Sequence, residues 1–568
     1  MPNLFRKKKI EDILQEASDR ELAGKGMQRS LTVRDLTVFG IAAIIGSGIF
    51  STIGIASYNG GPAVIFLFIG IAIACGFTGL AYAEFASIIP VSGSAYTYSY
   101  VAFGELPAWI IGWALIMEYS IGNVTIAISF SDYFTDLLKT VFQYNIPEWM
   151  TTDYFTAAKS FKTVSEALSG GKSLTEISQA IETVPLMEGY WAWLKSPLWG
   201  GVHWIADLPA LTITVLMTAV VFRGIQETRR SSTAMVAFKL LVVLILVVVG
   251  AFYINSNNWH PFMPNGVGGV LKGVSAVFFA YIGFDAISTT SEECVQPQRD
   301  IPRAIIYCLI ICTILYVVVA LVITGIVSYK ELNVGDPLAY VFLHYPQLRW
   351  LSALVSLGGV VAIAGILLVY VLGQPRIWMV MSRDGLLPPA FSKIHTKFKT
   401  PYIATIATGL MVGIPTFFLN INFVTDLCSL STLFAFVLVC AGVIQLRNLP
   451  EFTNRTFKSP YINARFIIPA LFLLYILGLI TYKPLSANNF SLTEWAPEAI
   501  FLSVFAYLSV LSFQKNLSFI PVAGVLTCLY MMVQLGWTNW LWFLIWLSMG
   551  LVIYFGYSIK HSKLSTKS

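Results

Sequence analysis

Gly40 to Phe50 reads GIAAIIGSGIF, an apolar segment broken in its middle by Gly46, Ser47 and Gly48. A membrane-spanning helix satisfies its own backbone, and glycines that let it unwind at that depth leave N–H and C=O groups in need of another partner. A bound ligand is one such partner. Phe278 to Ser288, FFAYIGFDAIS, repeats the interruption in the second half of the chain, with Gly283 and Asp285. Interrupted helices in matching halves point to a transporter.

The composition agrees with a membrane setting. Of 568 residues, 56% are hydrophobic and 12% charged, and mean hydropathy is +0.72. Apolar runs recur from residue 36 almost to the end, without the period-two alternation of a barrel. The fold class is therefore an all-α polytopic membrane protein. No nucleic-acid patch accompanies the net charge of +6. The seven cysteines lie in or beside apolar runs and form no CxxC, so neither a disulfide framework nor a metal site is expected. The N-terminus is basic but has no apolar core or cleavage site, unlike a signal peptide. Its Arg6 to Lys9 cluster suits either anionic lipid or retention on the inner side.

At about 20 residues per span, the first ten spans fall at 36–57, 62–88, 106–138, 207–224, 233–254, 268–294, 303–328, 350–381, 401–419 and 423–446. Four more follow near 465–482, 498–513, 517–535 and 538–558, making fourteen. That count puts about 26 of the 36 Lys and Arg residues on one side, which the positive-inside rule makes cytoplasmic, together with both termini. The breaks lie in spans 1 and 6, an odd number apart, so the two spans enter from opposite sides and form an inverted repeat. The chain then divides into a cytosolic segment 1–35, a first repeat 36–254 containing an outer loop 139–206, a second repeat 268–446, four additional C-terminal helices 465–558, and a cytosolic tail 559–568. The outer loop reads as short amphipathic helices around a Gly-Gly turn. It is a lid, a docking surface or a solvated insertion.

Unwinding at Gly46–Gly48 frees N–H groups at Ser47, Gly48 and Ile49, which favour an anion. The carbonyls of Ile44 and Ile45, with those of Phe279, Ala280 and Ile282 in span 6, favour a cation. An α-amino acid carries both charges on one carbon, which matches a single pocket with opposite half-helix ends. Asp285 either ligates the substrate or caps the restarting half-helix. Phe279 and Phe284 are gates or packing aromatics.

Lys239 is the one Lys or Arg placed well inside a span, where insertion costs about 2.5–3.5 kcal/mol at the centre. Apolar surroundings disfavour its charged form, which suits a group that gains and loses a proton during a cycle. Snorkelling to the inner interface is the structural alternative. Glu118, an isolated carboxylate in span 3, is a candidate partner for Lys239 or for a cationic side chain, or is simply satisfied by a neighbouring hydroxyl or Asn123. Glu84 and Glu292, nearer the inner face, are expected in salt bridges with Arg299, Arg303, Arg376 or Arg383. All five histidines fall in loops or the tail, leaving Lys and carboxylates to carry protons. A membrane enzyme would show clustered His, Asp or Ser near one interface, and there is none.

Four motifs in order carry a resemblance: IIGSGIF, YAEFASIIPVSGSAYTYSYVAFGE, FFAYIGFDAIST and MSRDGLLPPAFSKIHTKFKTP. From about residue 30 onward the chain resembles the amino acid–polyamine–organocation superfamily, and within it the cationic amino acid transporter family, whose bacterial members are amino acid permeases. The resemblance implies a LeuT-like core of 5+5 helices with alternating access, lined by Ile44, Ile45, Gly46, Ser47, Gly48, Phe279, Ala280 and Ile282. It also implies that Lys239 stands where sodium sits in sodium-coupled members. The expected activity is proton-coupled, sodium-independent import of L-amino acids across the cell membrane. No cofactor is expected beyond the proton gradient, and a small membrane partner protein is compatible with the sequence. An exchanger, a sodium-coupled carrier and a non-transporting sensor are the alternatives.

Overall fold

The computed structural model describes residues 4–11, 13, 15, 31–89, 94–179, 184–223, 229–291, 294–398, 400–447, 457–482 and 492–564. Most of the N-terminal segment, and Glu292, lie outside these. The chain is mostly helical. Among the described residues, seven helices are long and apolar enough to cross a membrane, one bent pair meets at 42°, and five shorter apolar helices accompany them. This is the build of a polytopic helical membrane protein.

Helix α1 (Val33–Ile44) begins where Asp35 accepts the Thr32 N–H at 2.9 Å, a reciprocal capping arrangement. It stops at Ile44, and a π-helical turn at Gly48–Thr52 leads into α2 (Ile53–Gly60). Helix α3 (Val64–Ala86) follows a tight turn at Gly61 and Pro62. Helix α4 (Ser94–Ala102) is short, and α5 (Glu105–Phe142) is 38 residues long, about 57 Å at 1.5 Å per residue.

The loop beyond α5 holds α6 (Tyr154–Ser169), α7 (Leu174–Gln179) and α8 (Val184–Lys195). A two-stranded hairpin, β1 (Leu198–Trp199) and β2 (Val202–His203), comes next. Helices α9 (Leu208–Arg223) and α10 (Arg229–Ala251) follow.

A second broken helix follows as α11 (Gly266–Lys272), α12 (Val274–Tyr281) and α13 (Ala286–Thr289). After it come α14 (Pro297–Ile326), α15 (Pro337–Leu343), α16 (Arg349–Arg383), α17 (Tyr402–Gly413) and α18 (Ile421–Leu446). Helices α19 (Ile467–Tyr482), α20 (Leu492–Lys515), α21 (Phe519–Val533) and α22 (Trp537–Ile553) end the apolar part.

Helix α5 is the post of the structure, packed against both α16 and α18, while α14 packs on α1 and α3. Helix α21 covers α18 and α3, and α22 joins α5 through an indole stack. Trp113 and Trp546 lie 4.7 Å apart, each donating its N–H to the other's backbone carbonyl. That exchange satisfies both indoles without water.

Glu84, at the end of α3, is fully buried and held by Arg447, whose Nε and Nη2 donate to its two oxygens at 3.0 Å each. Ser459 Oγ adds a third bond at 2.7 Å. The partner is thus Arg447 rather than Arg299, Arg303, Arg376 or Arg383, because the end of α18 lies beside α3. Glu84→Ala is expected to lower stability by about 2–3 kcal/mol, since it strands a largely buried guanidinium. The Glu84→Ala/Arg447→Ala double variant should lose less, and melting temperatures in detergent compare the two.

Lys8 of the N-terminal segment reaches Asp384 at 2.7 Å, where Tyr96 also donates at 2.7 Å. Glu105 accepts from Tyr100 and Tyr554 at 3.1 Å each and from Ser562. Both ends of the chain are thereby tied to the turns at 103–106 and 383–386. The Lys8 charge is spent on Asp384 rather than left for lipid.

Candidate functional site

Two breaks face each other at the centre of the bundle. Gly48 allows the approach: a Cβ there would lie 2.3 Å from the Ala280 Cα. Gly283 is at φ +117, a backbone state that glycine alone adopts without cost, and a Cβ there would lie 2.9 Å from the Ala43 carbonyl oxygen. Each break therefore places a glycine where the backbone of the other helix passes.

The first turn after the break supplies the expected donors. Among the described residues, the N–H groups of Ser47, Gly48 and Ile49 have no partner outside their own helix, and the first turn of a helix offers none within it. The expected acceptors are less open. Lys239 Nζ donates to both Ala42 O and Ile45 O at 2.6 Å. Tyr316 OH lies 3.1 Å from Ile44 O and 2.8 Å from Ala280 O. Ile282 N–H turns back to Phe279 O at 3.2 Å. Side chains of this protein thus occupy Ile44, Ile45 and Ala280, and Phe279 serves its own turn.

Lys239, on α10, is 4% exposed, so it does not snorkel. Its ammonium closes the carbonyl end of α1, where the helix dipole is negative. Glu118 is not its partner. The Glu118 carboxyl lies beside Thr432 and within electrostatic reach of Asp285, and its Oε2 is buried without a hydrogen-bond partner. Asn123 Oδ1, on the same helix, is buried and unpartnered as well. Buried acceptors of this kind are normally hydrogen-bonded, so both are places where a ligand's donor would be accepted.

Asp285 occupies the N-cap position of α13 but makes no side-chain capping bond. Its backbone is helical at φ −66 and ψ −27, whereas a typical capping residue is extended, and its carboxyl instead turns to the backbone N–H groups of its own turn, at Gly283, Asp285 and Ala286. Phe284 is buried against Tyr82 and Phe436, with ring centroids 6.3 and 5.2 Å away, and packs rather than standing free as a gate. Phe279 is buried as well. Ile366 of α16 fills the space above Gly46, its Cδ1 1.7 Å from where a Cβ would stand.

Tyr316 escaped sequence reading because a tyrosine in an apolar run has no pattern of its own. Its phenol bridges the two breaks, and Tyr316→Phe should reduce transport roughly two- to tenfold, the worth of one buried hydrogen bond. Initial uptake rates normalised to protein in the membrane check this. A second group missed is acidic. Asp207 accepts from Ser131 at 2.6 Å, Asp136 accepts from Ser356 at 2.5 Å, and Asp132 abuts Gly335.

Residues 31–504 match the family model described as amino acid permease. The chain belongs to the amino acid permease family. Residues 517–562 match the model for the C-terminus of such permeases. The permease is 34% identical to the branched-chain amino acid permease BcaP of Bacillus subtilis, covering 99% of both chains. It is also 34% identical to the methylthioribose transporter of the same organism over the whole of both. Cationic amino acid transporter 2, vacuolar, of Arabidopsis thaliana is 32% identical over 79% of this chain and 64% of its own. These relatives are transporters, not enzymes, and so is this permease.

Proposed function

We propose that the permease imports L-amino acids by proton-coupled, sodium-independent symport through a LeuT-like 5+5 inverted repeat. Fourteen spans, both termini in the cytoplasm and residence in the cell membrane complete this reading. The observation that carries it is the Lys239 ammonium, bonded to Ala42 O and Ile45 O at 2.6 Å. A sodium ion about 4 Å from that ammonium would be repelled by roughly 4 kcal/mol at an effective dielectric of 20. The charge at this position therefore belongs to a proton.

Proton loss from Lys239 leaves two N–H donors but strips the charge from two bonds that are worth up to about 1.5–3 kcal/mol each while the amine is charged. Their sum is comparable to the roughly 5.5 kcal/mol that moves a two-state equilibrium from 1:99 to 99:1. Protonation can thus set which conformation the broken helix prefers. The substrate carboxylate takes the Ser47, Gly48 and Ile49 N–H groups, and the substrate ammonium takes the span 6 break.

Glu118 Oε2, buried and unpartnered, supports substrates with a basic side chain. On this reading Glu118→Gln should weaken competition by basic amino acids about tenfold or more and leave neutral ones little changed. Neutral branched-chain substrates are the second reading, supported by the likeness to BcaP. A panel of labelled amino acids, with methylthioribose beside them and with and without a pH gradient, tests the proposal. Uptake of methylthioribose alone would overturn it.

A further inference from the structure

We propose that the β1–β2 hairpin is a membrane anchor, inserted at the headgroup–acyl boundary of the leaflet on its own side. The hairpin turns at Gly200 and Gly201, both at positive φ, and pairs Leu198 with His203 and Trp199 with Val202. Paired residues share a face, and residues two apart on a strand do too. One face therefore carries Trp199, Val202 and Trp204, with the two indoles 5.6 Å apart. These side chains are 75%, 56% and 55% exposed. On the opposite face His203 is fixed to protein, packing on Trp193 at 4.1 Å and bonding Ser196 at 2.7 Å, while its pair Leu198, at the hairpin's outer end, is 64% exposed and adds apolar surface.

Three observations select lipid as the occupant. The stretch 189–206 holds four of the chain's 15 tryptophans, one lysine and no carboxylate, the chemistry that favours a bilayer interface. Helix α9 starts four residues beyond Trp204 and has 16 residues. Its described residues carry no charge from Leu208 to Phe222, so the edge of the hydrocarbon core lies near its first residue. Four residues reach at most about 14 Å, which keeps Trp204 close to that edge. Finally, the apolar face runs on along the chain into exposed Leu208, Val215 and Leu216 of α9, part of the lipid-facing surface.

The anchor gives the loop a fixed seat. Ile205, beside the hairpin, is buried with Ala157 of α6 and Ala192 of α8, while Phe155 meets Phe418 beyond α17 at 6.0 Å. The loop is pinned to the membrane and to the α17–α18 connection, and does not swing over the substrate path as a lid.

The native cysteines are all buried, so a nitroxide can be placed at Val202→Cys in the full chain, reconstituted in phosphatidylcholine–phosphatidylglycerol vesicles. Lys172→Cys at the far turn is the aqueous control. Accessibility to molecular oxygen and to a water-soluble nickel chelate is then measured by power saturation. The anchor predicts high oxygen and low nickel accessibility at 202, and the reverse at 172. Adding Trp199→Ser and Trp204→Ser should shift residue 202 toward the aqueous pattern. A label at 202 as nickel-accessible as the one at 172 would overturn the anchor. So would exclusion of both reagents, which would mean that protein, such as a second copy, covers the face.

Discussion

Lys239→Ala is expected to abolish net amino acid uptake driven by a proton gradient. The variant removes an ammonium that holds Ala42 O and Ile45 O, two bonds worth about 3–6 kcal/mol together. At 1.4 kcal/mol per factor of ten, the rate should fall on the order of a hundredfold or more. Loss of transport alone would not separate coupling from collapse of the site. Counterflow does, because exchange of labelled for unlabelled substrate needs the binding site but no net proton movement. The variant should retain measurable counterflow while proton-driven accumulation disappears. Lys239→Arg, which cannot release its proton, should likewise fail to accumulate substrate.

Gly48→Ala is expected to leave no detectable transport. Its new methyl group would sit 2.3 Å from the Ala280 Cα, a backbone atom that cannot rotate away. Separating the two broken helices opens the site that both share, and overpacking of this kind costs about 1–3 kcal/mol or more. Gly70→Ala is the matched control, because a Cβ at Gly70 meets nothing within 4 Å. Uptake and melting temperature measured side by side should show Gly70→Ala near wild type in both. A Gly48→Ala variant with wild-type uptake would mean that the breaks do not need to touch.

Part of this site was legible in the sequence. A glycine triplet inside an apolar run is a strong local signal, and Gly46–Gly48 and Gly283 mark the places where α1 and α12 end. Lys239 stood out because charge is rare at membrane depth. What a sequence cannot give is the partner. Glu118 was a reasonable counter-ion for Lys239, yet the carbonyls at the end of α1 take that place. The Glu84 partner came from Arg447, 363 residues away, and several arginines near the inner face fitted the pattern equally well. Tyr316 and the Ser131–Asp207 pair depend on which faces of helices meet. The Gly200–Gly201 hairpin went unread in the sequence, although a Gly-Gly pair between aromatic residues is a hairpin signal, and its exposed face emerges only once His203 is seen to pack on Trp193.

Proton coupling through Lys239 is tested most directly by following the lumenal pH of proteoliposomes when substrate is added outside, in sodium-free buffer. With coupling through Lys239, an L-amino acid acidifies the lumen as it enters, in proportion to its uptake, and the Lys239→Ala variant shows no acidification. Substrate entry without acidification, or entry that requires sodium, would contradict it.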